Sequence, residues 1–266
     1  MIKLGVNTVL FGGQSLAVTM KHIAWAGYDG VELSAIKGMC EHLVLDRWQE
    51  QAETIRRAAA DNGLALLSME VASLDEARLE KAFAAGQAIG IPLINVGPGG
   101  KSNAPGALDQ AAGILKARAA LAGRYGVTLC CKAHVGSAVF DTPTTLALMR
   151  AVRHPNFGVD MDPSHIWRAG EEPAEALRQV VARVRHIHIR DCKGKGPSPG
   201  EARDQACGRG EIDLMKYFRT LVEAGYDGPV CLEVIGAAGY DLAQKVAVAA
   251  ESYGYMNACL KALGAR

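Results

Sequence analysis

The sequence predicts an α/β protein folded as a single (β/α)8 TIM barrel over residues 1–266, on three observations. Eight short runs rich in Val, Ile and Leu alternate with longer segments of helical spacing from one end of the chain to the other. Divided over 266 residues, each unit takes about 33, the size of one βα unit. The turn after the first run is Phe11-Gly12-Gly13-Gln14-Ser15, which is not the G-x-G-x-x-G turn of a doubly wound dinucleotide fold.

The runs are 3–8, 30–34, 64–70, 93–97, 127–134, 158–162, 186–191 and 230–235. Their near-continuous apolar character suits strands covered on both faces. Residues 48–62 and 74–89 show the clearest helical spacing. Asn62-Gly63 and Tyr125-Gly126 stand just before runs, where a helix ends on a glycine. Ser73 before Leu74-Asp75-Glu76 predicts an N-cap with acids in the first turn, and Asp213 opens 214–223 in the same way. Ala26-Gly27-Tyr28-Asp29-Gly30 and Ala224-Gly225-Tyr226-Asp227-Gly228 each lead into a run, so one helix–turn–strand unit recurs near both ends. The Gly- and Pro-rich stretch 193–210 lies inside one βα unit and is expected to be a long active-site loop, with no domain boundary.

Lys+Arg is 29 and Asp+Glu is 28, a net charge of +1. That balance lacks the basic excess that nucleic-acid binding requires, and it lacks the acidic bias of a disordered chain. No apolar run reaches the ~20 residues of a membrane span, and the first residues lack the apolar core of a secretory signal. The seven cysteines are scattered without a C-x-x-C pair. Reduced thiols in a cytoplasmic protein are the expectation.

In a barrel of this kind, chemistry collects at the C-terminal ends of the strands. The last four predicted strands end in polar groups, and alternation sorts their faces. Lys132 and His134 share a face, as do Asp160 and Asp162, and so do His186, His188 and Arg190. Ile187 and Ile189 take the opposite, helix-facing side, and Glu233 points away from Leu232 and Val234. Taken singly, each has a plain structural role: Lys132 neutralises Glu233, His186 is a core histidine, His134 is a satisfied hydrogen-bonding group. Four polar strand ends in consecutive units point instead to a site. Carboxylates and imidazoles without thiolates suit Mn²⁺, Mg²⁺, Co²⁺ or Zn²⁺. Glu32 and Glu70, near the ends of their strands, are expected at or near the barrel mouth, Glu32 as a supporting hydrogen-bond partner.

At these residues the chain resembles the xylose-isomerase-like superfamily of sugar isomerases and epimerases, most closely from Gly126 to Ala237. Asp162-Pro163-Ser164-His165 is similar to its sixth-strand Asp-x-x-His. His186-Ile187-His188-Ile189-Arg190-Asp191 resembles its seventh-strand motif, and Gly208-Arg209-Gly210-Glu211-Ile212-Asp213 its following turn. The resemblance implies one divalent metal held by Asp162, His188 and Glu233. The residues themselves make Glu233, Lys132 and His134 the candidates for catalysis, and His165, Arg190 and Glu70 the candidates for substrate contact. One position departs: the family's fifth-strand Glu is Lys132 here. A protonated lysine cannot ligate a metal, so this position opposes both the metal and the family's two-glutamate proton exchange.

The expected activity is metal-assisted isomerisation or epimerisation of a small sugar, keto-sugar or polyol-derived carbonyl compound through an enediolate. Glu233 or Lys132 would be the base, with His134 and His165 orienting hydroxyl groups. Dehydration of a keto-polyol is the alternative within the superfamily. An apurinic-endonuclease-like nuclease and a non-catalytic sugar-binding barrel are the alternatives outside it. Lys193, Lys195, Arg203 and Arg209 are either anion ligands or solvated loop charges. Tyr253, Tyr255 and Met256 face either a homo-oligomer interface or the barrel.

Overall fold

The computed structural model describes residues 1–266. Eight parallel strands form the barrel: β1 (Lys3–Asn7), β2 (Gly30–Ile36), β3 (Ala65–Glu70), β4 (Leu93–Val96), β5 (Thr128–Lys132), β6 (Phe157–Met161), β7 (Val184–Ile189) and β8 (Pro229–Leu232). β1 pairs with both β2 and β8, which closes the sheet and leaves no barrel edge. All eight coincide with predicted runs, and the predicted (β/α)8 barrel is the observed fold. Several strands stop one or two residues early, so His134, Asp162, Arg190 and Glu233 stand just past strand ends. A two-residue strand, Cys40–Glu41, pairs antiparallel with the end of β2. The sequence reading does not anticipate it, because two residues carry no periodicity.

The helices are α1 (Leu16–Trp25), α2 (Trp48–Asp61), α3 (Glu76–Ile89), α4 (Ala107–Arg124), α5 (Thr142–Ala151), α6 (Pro163–Arg168), α7 (Pro173–Val180), α8 (Leu214–Glu223) and α9 (Leu242–Ala262). Asp213 caps α8, accepting from the Lys216 N–H as expected. The cap of α3 is Asp75 rather than Ser73. The Ser73 hydroxyl instead accepts from the Asp75 N–H, so the helix starts two residues later and Leu74 is left to the loop. Between strands and helices lies one apolar cluster that includes Leu4, Ile94, Leu129, Ile187 and Ile189. No helix is long and apolar enough to cross a membrane.

Two irregularities of the sheet matter for the interior. The β2–β3 register slips by one residue between Val31 and Glu32, and the β6–β7 register slips between Val159 and Asp160. Such slips re-aim the side chains beside them, and Glu32 and Asp160 are the two carboxylates that grip His188. The α9 residues Tyr253, Tyr255 and Met256 pack within the chain. Met256 is buried, Tyr253 tilts against Tyr28 with ring centroids 5.2 Å apart, and Tyr255 lies against Gly208.

Candidate active site

The inward face of the barrel is polar at two levels. At the lower level both ring nitrogens of His188 meet carboxylates: Nδ1 lies 2.6 Å from Asp160 Oδ2, and Nε2 bonds Glu32 Oε2. Two acceptors require both nitrogens to donate, so the ring is an imidazolium. Burial opposes that charge, but Asp160 and Glu32 hold the His188 pKa well above its usual value. Asp160 also accepts from His186 Nδ1 at 3.0 Å and from the His188 backbone N–H. Asn7 donates to Glu32 at 2.9 Å and to Glu70 at 2.6 Å, which ties the lower level to the upper one. His186 is the core histidine of the plain reading, completed by Ser68 Oγ at 2.9 Å. Glu70 lines the mouth as expected, whereas Glu32 is fully buried beneath it and bonds Asn7, Asn95 and His188 in the barrel interior rather than the neighbouring loops.

Asp160→Asn is expected to destabilise the fold by about 3–5 kcal/mol, since it strands a buried imidazolium. Urea unfolding reads this directly. A loss below about 1 kcal/mol would mean that the sandwich contributes little to stability.

The upper level opens into a cavity of about 490 Å³, large enough for a small organic molecule. Lys132 Nζ sits 2.9 Å from Glu233 Oε2 and 3.3 Å from Glu70 Oε1. Arg190 sits 3.3 Å from Glu233 Oε2 and 3.0 Å from Asp162 Oδ2. Burial would raise Glu233, but Lys132 and Arg190 hold it well below the usual carboxylate range. Burial and the neighbouring Glu233 push Glu70 the other way, up to about 7. Burial would lower Lys132, but Glu233 and Glu70 hold it above the ordinary lysine value, so it stays protonated. Its carboxylate partners are thus Glu233, as expected, and Glu70 in place of Asp162.

A histidine wall completes the cavity. The His134 and His165 rings lie against each other, tilted by 38°, with centroids 4.1 Å apart. Burial, with Arg190 near one ring and Lys132 near the other, lowers both pKa values and keeps both rings neutral. Above them lies the long loop predicted at 193–210, which brings Pro197 and Pro199 to the cavity. Asp191 latches that loop by accepting from the N–H groups of Cys192, Gly208 and Ile212. A Cβ at Gly210 would stand 2.2 Å from Asp191 Oδ1, so the latch needs glycine there. Of the loop cations, Lys193 pairs with Asp204 at 3.0 Å, Arg209 with Glu251 at 2.5 Å, and Lys195 lies over the Trp167 ring.

The expected metal trio is not gathered in this arrangement. Asp162 and Glu233 meet across the Arg190 guanidinium, whereas both nitrogens of His188 are turned to Asp160 and Glu32. An ion within ligand reach of Asp162 and Glu233 would crowd two fixed cations, Lys132 and Arg190, and these residues do not fit it. Side-chain groups able to hold a metal do occur lower in the barrel, such as Asp160, His186 and His188, or Glu32, Glu70 and His188. There the ligand atoms already bond one another and Asn7.

The sequence reading passes over Asn7, Asn95 and Arg168. Asn95 donates to Glu32 at 2.5 Å. Arg168 lines the cavity three residues after His165 on α6. That i,i+3 spacing places the two on one helix face, a signal the sequence already carried.

Fold and site together define an α/β barrel with a charged pocket at the C-terminal ends of its strands. The chain belongs to the xylose isomerase-like TIM barrel family, whose profile matches residues 20–259. It is similar to the 3-dehydroshikimate dehydratase of Bacillus anthracis, 27% identical over 68 residues, 26% of this chain and 24% of that one. It is also similar to the inosose dehydratase of Bacillus licheniformis, 28% identical over 125 residues, 42% of each chain. The matched segments thus span less than half the length of these relatives. Among solved structures, D-psicose 3-epimerase in the presence of D-fructose superposes with a TM-score of 0.79 at 17% identity, covering 99% of this chain and 100% of that one. That likeness is one of fold.

Proposed function

We propose that this protein dehydrates a small polyhydroxylated carbonyl compound, taking the proton α to the carbonyl and expelling the β-hydroxyl group. The observation that carries this reading is the unequal pairing of two cavity carboxylates: Glu233 lies 2.9 Å from Lys132 and 3.3 Å from Arg190 and is held ionised, whereas Glu70 has only Lys132, at 3.3 Å, and burial beside Glu233 pushes it up to about 7. A group poised near the working pH exchanges protons best. Glu70 takes the α-proton, and the C–H electron pair becomes an enolate whose oxygen is stabilised by the Lys132 ammonium and the Arg190 guanidinium. The enolate then collapses, the β-C–O bond breaks, and the Glu70 carboxyl returns its proton to the leaving hydroxide as water. Glu233 orients Lys132 and Arg190. His134 and His165, both neutral, orient hydroxyl groups.

Lys132 thereby takes the electrostatic part of the reaction, not that of a base. Epimerisation needs a second proton donor on the opposite face of the carbon, and neither firmly protonated Lys132 nor firmly ionised Glu233 suits that work. Dehydratases stand among the sequence relatives beside a ketose 3-epimerase, so the choice rests on the charge states of these side chains. Isomerisation by Glu70 alone is the second reading, since one base can carry a proton between adjacent carbons. Both are tested by incubating metal-free protein with a panel of keto-polyols in D₂O. The expected NMR result is loss of the α-proton signal with growth of an unsaturated product. Exchange with an isomeric product favours the second reading. Cleavage of abasic-site DNA, or exchange only after a divalent metal is restored, would overturn the proposal.

A further inference from the structure

The five charged side chains that line the cavity are Lys132, Arg168, Arg190, Glu70 and Glu233. Lys132 and Arg190 are paired with carboxylates as described. Arg168 is different: it is buried, and no carboxylate lies within 4 Å of it. Its Nε donates to the Ser164 carbonyl at 3.1 Å, Nη1 to the Pro197 carbonyl at 2.8 Å and Nη2 to His165 Nδ1 at 2.9 Å. All three acceptors are neutral. A guanidinium has five N–H groups, so one hydrogen on each terminal nitrogen is left without a partner. The negative group that acts on it most strongly is Asp162, already engaged by Arg190. Burial lowers the pKa of Arg168, whereas Asp162 and Glu233 overcome burial and raise that of Arg190.

A buried cation that faces a cavity without a counter-ion is costly to keep. We propose that Arg168 is the anchor for a carboxylate group on the substrate. Two free N–H groups on neighbouring nitrogens match the two oxygens of a carboxylate. A dianionic phosphate fits less well. His134 Nδ1 donates to the Val135 carbonyl at 2.9 Å, which leaves Nε2 of this cavity-lining ring as a lone-pair acceptor. That acceptor suits a substrate hydroxyl and repels further phosphate oxygens. The substrate class narrows to hydroxylated carboxylic acids. The four loop cations considered from sequence are not needed for this, since they lie outside the cavity lining. The inference takes the cavity as the ligand site proposed above and is independent of the reaction that follows there.

Isothermal titration of the whole protein with quinate and gluconate, against the neutral glucitol and myo-inositol, tests the anchor without turnover. Wild-type protein is expected to favour the acids by about ten- to a hundredfold, the worth of charge-assisted hydrogen bonds. Arg168→Met should abolish that preference by weakening the acids far more than the neutral polyols, and Arg168→Lys should keep part of it. Gluconate 6-phosphate binding no tighter than gluconate supports a carboxylate site, and tighter binding that depends on Arg168 overturns it in favour of phosphate. Equal wild-type affinity for acids and neutral polyols, or no binding by either acid, overturns the proposal and requires no variant to fold. Equal weakening of both ligand types in Arg168→Met also overturns it, since it marks Arg168 as only a loop support. Carboxylate preference without turnover would instead remove the dehydration and leave the anchor standing.

Discussion

Glu70→Gln is expected to lower kcat by about a thousandfold, the contribution of a well-placed proton-transfer group, while the barrel stays folded. Gln keeps the shape, and its one carbonyl oxygen can accept from either Asn7 or Lys132, which donate to different oxygens of Glu70 at 2.6 and 3.3 Å. It cannot take a proton. The wild-type pH profile should show the same group: kcat/KM rises with pH through about 7, because Glu70 must be ionised to act as base. The stability effect has the opposite sense. The folded-state pKa is raised to about 7 from an ordinary 4.5, so the folded chain binds more protons than the unfolded chain between those values. Stability from this group is therefore full below about 4.5 and is lost as pH rises through about 7. Glu70→Gln should melt higher than wild type at pH 8, with a smaller difference at pH 5. A variant with unchanged kcat/KM would remove Glu70 from the chemistry whatever its melting temperature.

Lys132→Met is expected to cost about 3–5 kcal/mol of stability, because it leaves two buried carboxylates without their shared ammonium. It should also lower turnover by at least about a hundredfold, the effect of removing one donor to a developing oxyanion. Lys132→Glu separates charge from proton transfer. It replaces the cation with a carboxylate beside Glu233 and Glu70 and leaves Arg190 as the remaining cation on Glu233. The expected outcome is measurable Mn²⁺ binding by calorimetry together with loss of the native reaction. Full native activity after this substitution would exclude any catalytic part for Lys132.

The barrel was legible because its signals are local and repeated. Eight apolar runs with helical segments between them need no knowledge of partners, and strand alternation correctly turned Lys132, His188, Arg190 and Glu233 inward. The position of chemistry at the strand ends followed from the fold alone, and so did the pairing of Lys132 with Glu233, since a buried ammonium must meet a carboxylate. Which charges meet which was settled by packing across the barrel. Glu32 and His188 are 156 residues apart, and Lys132 and Glu233 are 101 apart. One-residue register slips beside Glu32 and Asp160 aim the two carboxylates that clamp His188, and periodicity carries no trace of a slip. The pKa of Glu70 depends on burial and on Glu233, groups that only the closed barrel brings together. Charge state is a property of three-dimensional neighbourhood, and residue type along the chain names only the groups that can carry it.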